Sequence, residues 1–183
     1  MKKYPFHIGL LSFLLLFCMS ACTGSKAKFD SEDKFTDAFL HAIRKNDEAQ
    51  IRRMALTRDD TESMIRSAST MSEEEKAKTL DEIDRFWPKI EAGIQDYLID
   101  RFRSLHADAE RMGLDWSTLK EVSREVKGKK RDGHMDVLTC DVHVTADVSG
   151  HEIRFKLEDL GKVARGWVFG GEGFRVRGLP EVE

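Results

Sequence analysis

Few side chains in this sequence have the type and spacing that acid–base chemistry requires. His134 and Asp136 share the parity of Leu138 at the mouth of a predicted strand, and Tyr97 adjoins the apolar stripe of a predicted helix. In an apolar cavity between a sheet and helices, burial would raise the pKa of a carboxyl group toward neutral pH. We therefore take His134, Asp136 and Tyr97 as candidate ligand-binding residues, with a solvated strand end as the alternative.

The other reactive residue types occur in pairs or singly. Asp141 and His143 share one face of a predicted strand, and His106 and Glu110 are one helical turn apart. A protein zinc site uses at least three side-chain ligands, and neither pair has an evident third. Cys140 falls within an apolar stripe, which indicates a small core residue rather than an exposed nucleophile. We predict no metal ion and no cofactor.

The N-terminus has the layout of a secretory signal. Lys2 and Lys3 form a short positive region, and an apolar run follows from Ile8 to Phe17. This run is shorter than the ~20 residues that a transmembrane helix needs, so we expect cleavage rather than a permanent span.

The segment Met19-Ser20-Ala21-Cys22 resembles the lipobox of bacterial lipoproteins. The resemblance implies that residues 1–21 are removed, that Cys22 is acylated, and that residues 22–29 are a tether to a membrane of the cell envelope. In a host with two membranes, Thr23 resembles the pattern for the periplasmic side of the outer membrane. Cys18 would be lost with the signal. The alternative is ordinary signal cleavage that leaves Cys22 as a plain thiol.

Composition limits the classes of partner. Removal of residues 1–21 leaves 162 of the 183 residues, and the formal charge becomes −5 rather than −3, since two lysines and no acidic residue are lost. This length suffices for one domain with a core. An acidic domain is a poor candidate for general nucleic-acid binding. With Cys140 as the one remaining thiol, no intramolecular disulfide is predicted.

The first half of the chain predicts helices. Phe35, Phe39 and Ile43 form one apolar stripe, and predicted caps stand at three points further on. These caps are Asp47 with Gln50, Asp59 with Glu62, and Ser72 with Glu75. The last of these helices should stop or bend at Trp87-Pro88, before a long helix with an apolar stripe from Ile90 to Met112.

The second half predicts an antiparallel sheet. Apolar and polar residues alternate strictly from Asp136 to Val148, and Ser149-Gly150 fits a hairpin turn. We expect Val122 to Lys127 to pair with that strand across the loop 128–133, and a last strand broken by the glycines of 170–173. The predicted fold is α+β, with N-terminal helices packed on one face of a four-stranded antiparallel sheet. The other face, which carries Thr139, Asp141, His143 and Thr145, would be exposed to solvent or used as a dimer contact.

The segments "DAFLHAIRKND", "MGLDWSTLKEV" and "GKVARGWVFGGEGFRVR" resemble the cystatin-like or NTF2-like α+β domains, and a group of uncharacterised secreted bacterial proteins in particular. The resemblance implies a single domain over residues 30–178 with a C-terminal tail at 179–183. The lipobox, a resemblance confined to scaffold features, and the lack of a convergent polar site favour a non-enzymatic domain that binds an envelope protein or a small apolar ligand. One alternative is a small enzyme of the isomerase or dehydratase type that uses an acid or base in a cavity. Another is a purely structural component of the envelope, which needs no pocket.

Four basic residues crowd the predicted hairpin tip, namely Lys127, Lys129, Lys130 and Arg131. On a membrane-tethered domain such a loop would contact anionic headgroups. The alternative is an ordinary solvated loop.

Overall fold

Helices precede strands along the chain, as the sequence predicts. The computed structural model describes residues 29–133 and 136–180, and the signal segment 1–21 and Cys22 lie outside these ranges. The helices of the described part are α1 Glu32–Lys45, α2 Glu48–Met54, α3 Arg58–Ser67 and α4 Glu73–Arg111, and a short 3₁₀ helix spans Trp116–Thr118. The strands are β1 Lys120–Arg131, β2 Leu138–Val148, β3 His151–Val163, β4 Gly166–Phe169 and β5 Phe174–Arg177. The α+β prediction is confirmed.

Side-chain caps fix where the helices begin. The Asp47 carboxylate accepts a hydrogen bond from the Gln50 backbone N–H at 2.8 Å, and Ser72 forms a capping box with Glu75, both as predicted. The predicted cap at Asp59 is wrong. Thr57 is the cap of α3 instead, because its extended backbone lets it form a capping box with Asp60.

Helix α4 runs without a break from Glu73 to Arg111 and contains Pro88. The sequence predicted a stop or a bend at Trp87-Pro88, and of these the stop is wrong. A proline removes one helical hydrogen bond. The burial of side chains before and after Pro88 outweighs this loss. Trp87 is 4% exposed, and Leu98 and Phe102 are each 1% exposed. No helix within the described residues is both long and apolar enough to span a membrane.

The sheet has the order β1-β2-β3-β4, and β5 also pairs with β3. Strand β4 pairs with the end of β3, from Leu160 to Val163, whereas β5 pairs with Arg154 to Leu157. Strands β4 and β5 therefore occupy consecutive parts of one sheet edge, which confirms the predicted break at 170–173.

One face of the sheet is covered by the helices. The apolar residues of β2, including Val142 and Ala146, are fully buried, as the alternation predicts. Phe39 of α1 lies at the centre of the contact, with ring centroids 5.7 Å from Phe155 and 5.0 Å from Phe174 in edge-to-face geometry. Phe29 is also buried, and its backbone forms an isolated parallel β-bridge with Gly166 of β4. The described fold therefore includes this last residue of the predicted tether.

Candidate functional site

The structure does not bring Asp136 and Tyr97 together. Asp136 is exposed in the turn between β1 and β2, and its carboxylate accepts a hydrogen bond from Arg131 at 2.9 Å. Tyr97 is 41% exposed on α4, with the Arg101 guanidinium 4.8 Å from its ring centroid. The two surface grooves that Tyr97 lines do not include Asp136. His134, the third predicted member of this group, lies outside the described residues.

The other reactive side chains occupy packed positions. Cys140 is 3% exposed, as predicted for a core residue. Burial raises the pKa of its thiol to about 11, so little thiolate is present at neutral pH. The His106 ring lies 4.6 Å from that of Phe102, and burial lowers the pKa of this imidazole. Over residues 29–133 and 136–180, no three His, Cys, Asp or Glu side chains are grouped as a metal site would require.

The four basic residues of the predicted loop lie on β1 instead. The strand continues to Arg131 because Gly128, with a φ of +61°, lies in a register irregularity between Lys127 and Lys130, so this glycine marks a bulge and not the turn. Lys129 forms an ion pair with Glu32 of α1 at 2.6 Å, which raises the pKa of Lys129. The other ion pairs are Lys127–Glu125 at 3.1 Å and Arg131–Asp136 at 2.9 Å. Lys130 has no ion pair with any residue that the structure describes.

The polar face of the sheet contains a cleft of about 490 Å³, which we call the cationic cleft. Four strands contribute its polar side chains, which are Ser123 and Glu125 of β1, His143 and Thr145 of β2, Arg154, Lys156 and Glu158 of β3, and Arg175 and Arg177 of β5. The cleft lies on the face opposite the helices, because these residues alternate with the buried positions of each central strand.

Four cations of the cleft form a block on two neighbouring strands. Arg154 lies directly opposite Arg177, and Lys156 lies directly opposite Arg175. Like charges at directly opposed positions of an antiparallel pair repel and reduce sheet stability. Repulsion within the block therefore works against folding wherever carboxylates do not offset it, and the block provides an attractive field for an anion.

Carboxylates neutralise part of this block. Glu158, which is 4% exposed, lies 2.7 Å from the Lys156 ammonium and 2.5 Å from the Arg175 guanidinium. Asp141 lies 3.1 Å from the Lys156 ammonium, and Glu172 lies 3.1 Å from the Arg175 guanidinium. Arg154 pairs with Glu152 at 2.5 Å. Arg177 has no ion pair among residues 29–133 and 136–180, so its charge is available to a ligand.

A β-bulge brings Glu158 beneath the cations. Val142 pairs with Leu157, but Cys140 pairs with Leu160, so β3 has one residue more than β2 between these points. Asp159 occupies the irregularity with a φ of +50°. The Asp159 backbone N–H donates to the Asp141 carboxylate at 3.1 Å. Burial, followed by the nearby carboxylates, raises the pKa of Asp159.

The geometry suits binding of a carboxylate or phosphate. Arginine guanidinium groups recognise the oxygens of these anions through paired hydrogen bonds, and three arginines with a lysine converge here. The sequence predicted that the polar strand face is exposed to solvent or used as a dimer contact, and it did not predict the cleft. A signal was available, since Arg154 and Lys156 are two residues apart, as are Arg175 and Arg177. Only the strand register shows that the two pairs are adjacent.

Comparison of the chain with protein-family models, curated proteins and solved structures finds no match.

Proposed function

We propose that this chain is an exported lipoprotein of the bacterial cell envelope, anchored by acylated Cys22, whose NTF2-like α+β domain binds an anionic ligand in the cationic cleft. The proposal assigns no catalytic residue. Asp136 and Tyr97, which the alternative enzyme would use as acid and base, lie on separate elements.

The block of Arg154, Lys156, Arg175 and Arg177 carries the binding proposal. An arrangement that opposes folding in the free domain becomes favourable once an anion lies between the cations. Functional sites commonly retain groups whose placement costs stability.

The dimensions and lining favour a small polar ligand. About 490 Å³ is in the range of small-molecule sites, which is roughly 300–1,000 Å³. The charged lining favours a carboxylate or phosphate compound over the small apolar ligand that the sequence suggested. An acidic segment of an envelope protein would present the same carboxylate chemistry.

The lipid anchor is supported by the lipobox resemblance at residues 19–22. Each buried methylene contributes roughly 0.8 kcal/mol to membrane residence, so two or three acyl chains would hold the protein firmly. Cys22→Ala should release the protein into the soluble fraction of lysed cells. Unchanged fractionation would contradict the anchor and leave the cleft proposal untouched.

Isothermal titration calorimetry tests the cleft. The mature chain, residues 22–183 with Cys22→Ala, would be titrated with citrate and with tripolyphosphate, which present carboxylate and phosphate groups respectively. Arg154→Gln and Arg177→Gln should each weaken binding about tenfold, which corresponds to the loss of one charge-assisted hydrogen bond. The control Arg85→Gln removes an arginine that is 65% exposed on α4, outside the cleft. Equal affinity in all variants, or no binding of either anion, would contradict the proposal.

A further inference from the structure

Helix α4 presents an apolar stripe that the rest of the described domain covers only in part. Phe86 is 46% exposed, Ile90 is 37% exposed and Tyr97 is 41% exposed. Together with Gly93, these residues follow one another at intervals of three or four and so share one side of the helix. We call this side the outer stripe. It is distinct from the buried side of α4, where Trp87 and Phe102 lie.

The centre of the outer stripe can be approached closely. Gly93 has no side chain, and a Cβ atom added there would meet nothing within 4 Å. Small residues at a helix–helix crossing allow the two backbones to come near each other. Ile90 and Gly93 therefore provide a knob and a gap next to one another.

Two residues of opposite charge lie along the same edge of the outer stripe. Lys89 and Asp96 are two helical turns apart, and both are exposed. Neither forms an ion pair with any residue within 29–133 and 136–180. The midpoint between them in sequence is close to the midpoint between Ile90 and Gly93.

This spacing matches a second copy of the same helix. In an antiparallel pair that crosses between Ile90 and Gly93, Phe86 of one protomer faces Tyr97 of its partner, and Ile90 faces Gly93. Lys89 of each protomer then lies near Asp96 of the other, so the twofold axis generates two ion pairs. A self-complementary arrangement of this kind is what a twofold interface requires.

We propose that the protein forms a homodimer through antiparallel packing of the α4 outer stripes, with Lys89 and Asp96 of opposite protomers paired. The proposal is independent of the lipid anchor and of the cationic cleft. Its occupant is a second copy of this chain, because the charge pattern complements itself only in the antiparallel orientation.

Sedimentation equilibrium over a range of concentrations tests the dimer. The mature chain, residues 22–183 with Cys22→Ala, should show a monomer–dimer equilibrium. Lys89→Asp or Asp96→Lys should each weaken association about tenfold, because two attractive ion pairs become repulsive. Combining the two substitutions should restore association, because each reversed charge again meets its opposite. Lys120→Asp, at the start of β1, serves as the charge-matched control and should change nothing.

Circular dichroism of each variant separates lost association from lost folding, and Ile90→Glu provides a second way to block the crossing. A monomer at every concentration would overturn the proposal. Single charge reversals without effect would also overturn it. So would a dimer that persists in Ile90→Glu but is lost in Arg154→Glu, because the contact would then lie on the polar face of the sheet.

Discussion

Arg165, in the turn between β3 and β4, donates from Nε to both carboxylate oxygens of Asp60 on α3, at 3.0 and 2.9 Å. Its other nitrogens donate to the backbone carbonyls of Arg53 and Ala55 at 2.8 and 2.7 Å. One guanidinium group therefore ties the end of α2 and the start of α3 to the sheet.

Removal of the Asp60 carboxylate should destabilise the domain. Asp60 is 6% exposed, and Asp60→Ala would leave the partly buried Arg165 guanidinium without its counter-ion and would remove the capping box with Thr57, at a total cost of about 3 kcal/mol. Urea unfolding measures the loss. Asp59→Ala, at the exposed neighbouring position, should change the free energy of unfolding by less than about 0.5 kcal/mol. Equal effects of the two substitutions would show that the Arg165 contact contributes little.

Stability should fall as the pH drops below that of neutral solution, because of His106. Burial lowers the pKa of His106 in the folded state below its ordinary value of 6.5. Below about pH 6.5 the unfolded chain therefore binds the proton more readily, and the free energy of unfolding decreases with falling pH.

Urea unfolding between pH 7.5 and 5.5 checks this prediction. His106→Gln should show a weaker decline over this interval, whereas the control His41→Gln, at an exposed position of α1, should follow the parent protein. An identical decline in His106→Gln would assign the pH dependence to other groups.

Local rules predicted the elements of this fold well. The strict alternation around Val142 and Val144 fixed the buried face of β2, and the Ser72–Glu75 capping box fixed the start of α4. Both depend on neighbouring residues alone. The unbroken path of α4 through Pro88 could not be predicted in this way, because the burial of Trp87 and Phe102 that outweighs the proline arises from tertiary contacts.

The candidate site shows the same limit. His134, Asp136 and Tyr97 were grouped by parity and by proximity to an apolar stripe, but the structure places Asp136 and Tyr97 on a turn and on an exposed helix side. The cationic cleft depends on the pairing of Arg154 with Arg177. That pairing follows from the register of β5 on β3, which the predicted break at 170–173 does not by itself specify.

The headgroup prediction can now be focused on one residue. Lys127, Lys129 and Arg131 are engaged in ion pairs, so Lys130 is the basic residue of this group that we expect to contact anionic lipid. Charges near a membrane surface contribute on the order of 1 kcal/mol each. Lys130→Glu should therefore weaken sedimentation of the unacylated chain with vesicles that contain phosphatidylglycerol. Lys120→Glu is the control at the other end of β1, and unchanged sedimentation of Lys130→Glu would refute the headgroup contact.

Thermal unfolding with and without tripolyphosphate tests the central claim, which is that the block around Arg154 and Arg177 opposes folding in the free domain and favours it once an anion is bound. We expect the anion to stabilise the parent protein and so to raise its unfolding temperature. At a ligand concentration of 100 Kd the free energy of unfolding should increase by about 2.7 kcal/mol. The double variant Arg154→Gln/Arg177→Gln should be at least as stable as the parent without anion and should gain little from it. An equal rise in both proteins, or no rise in the parent, would contradict the account.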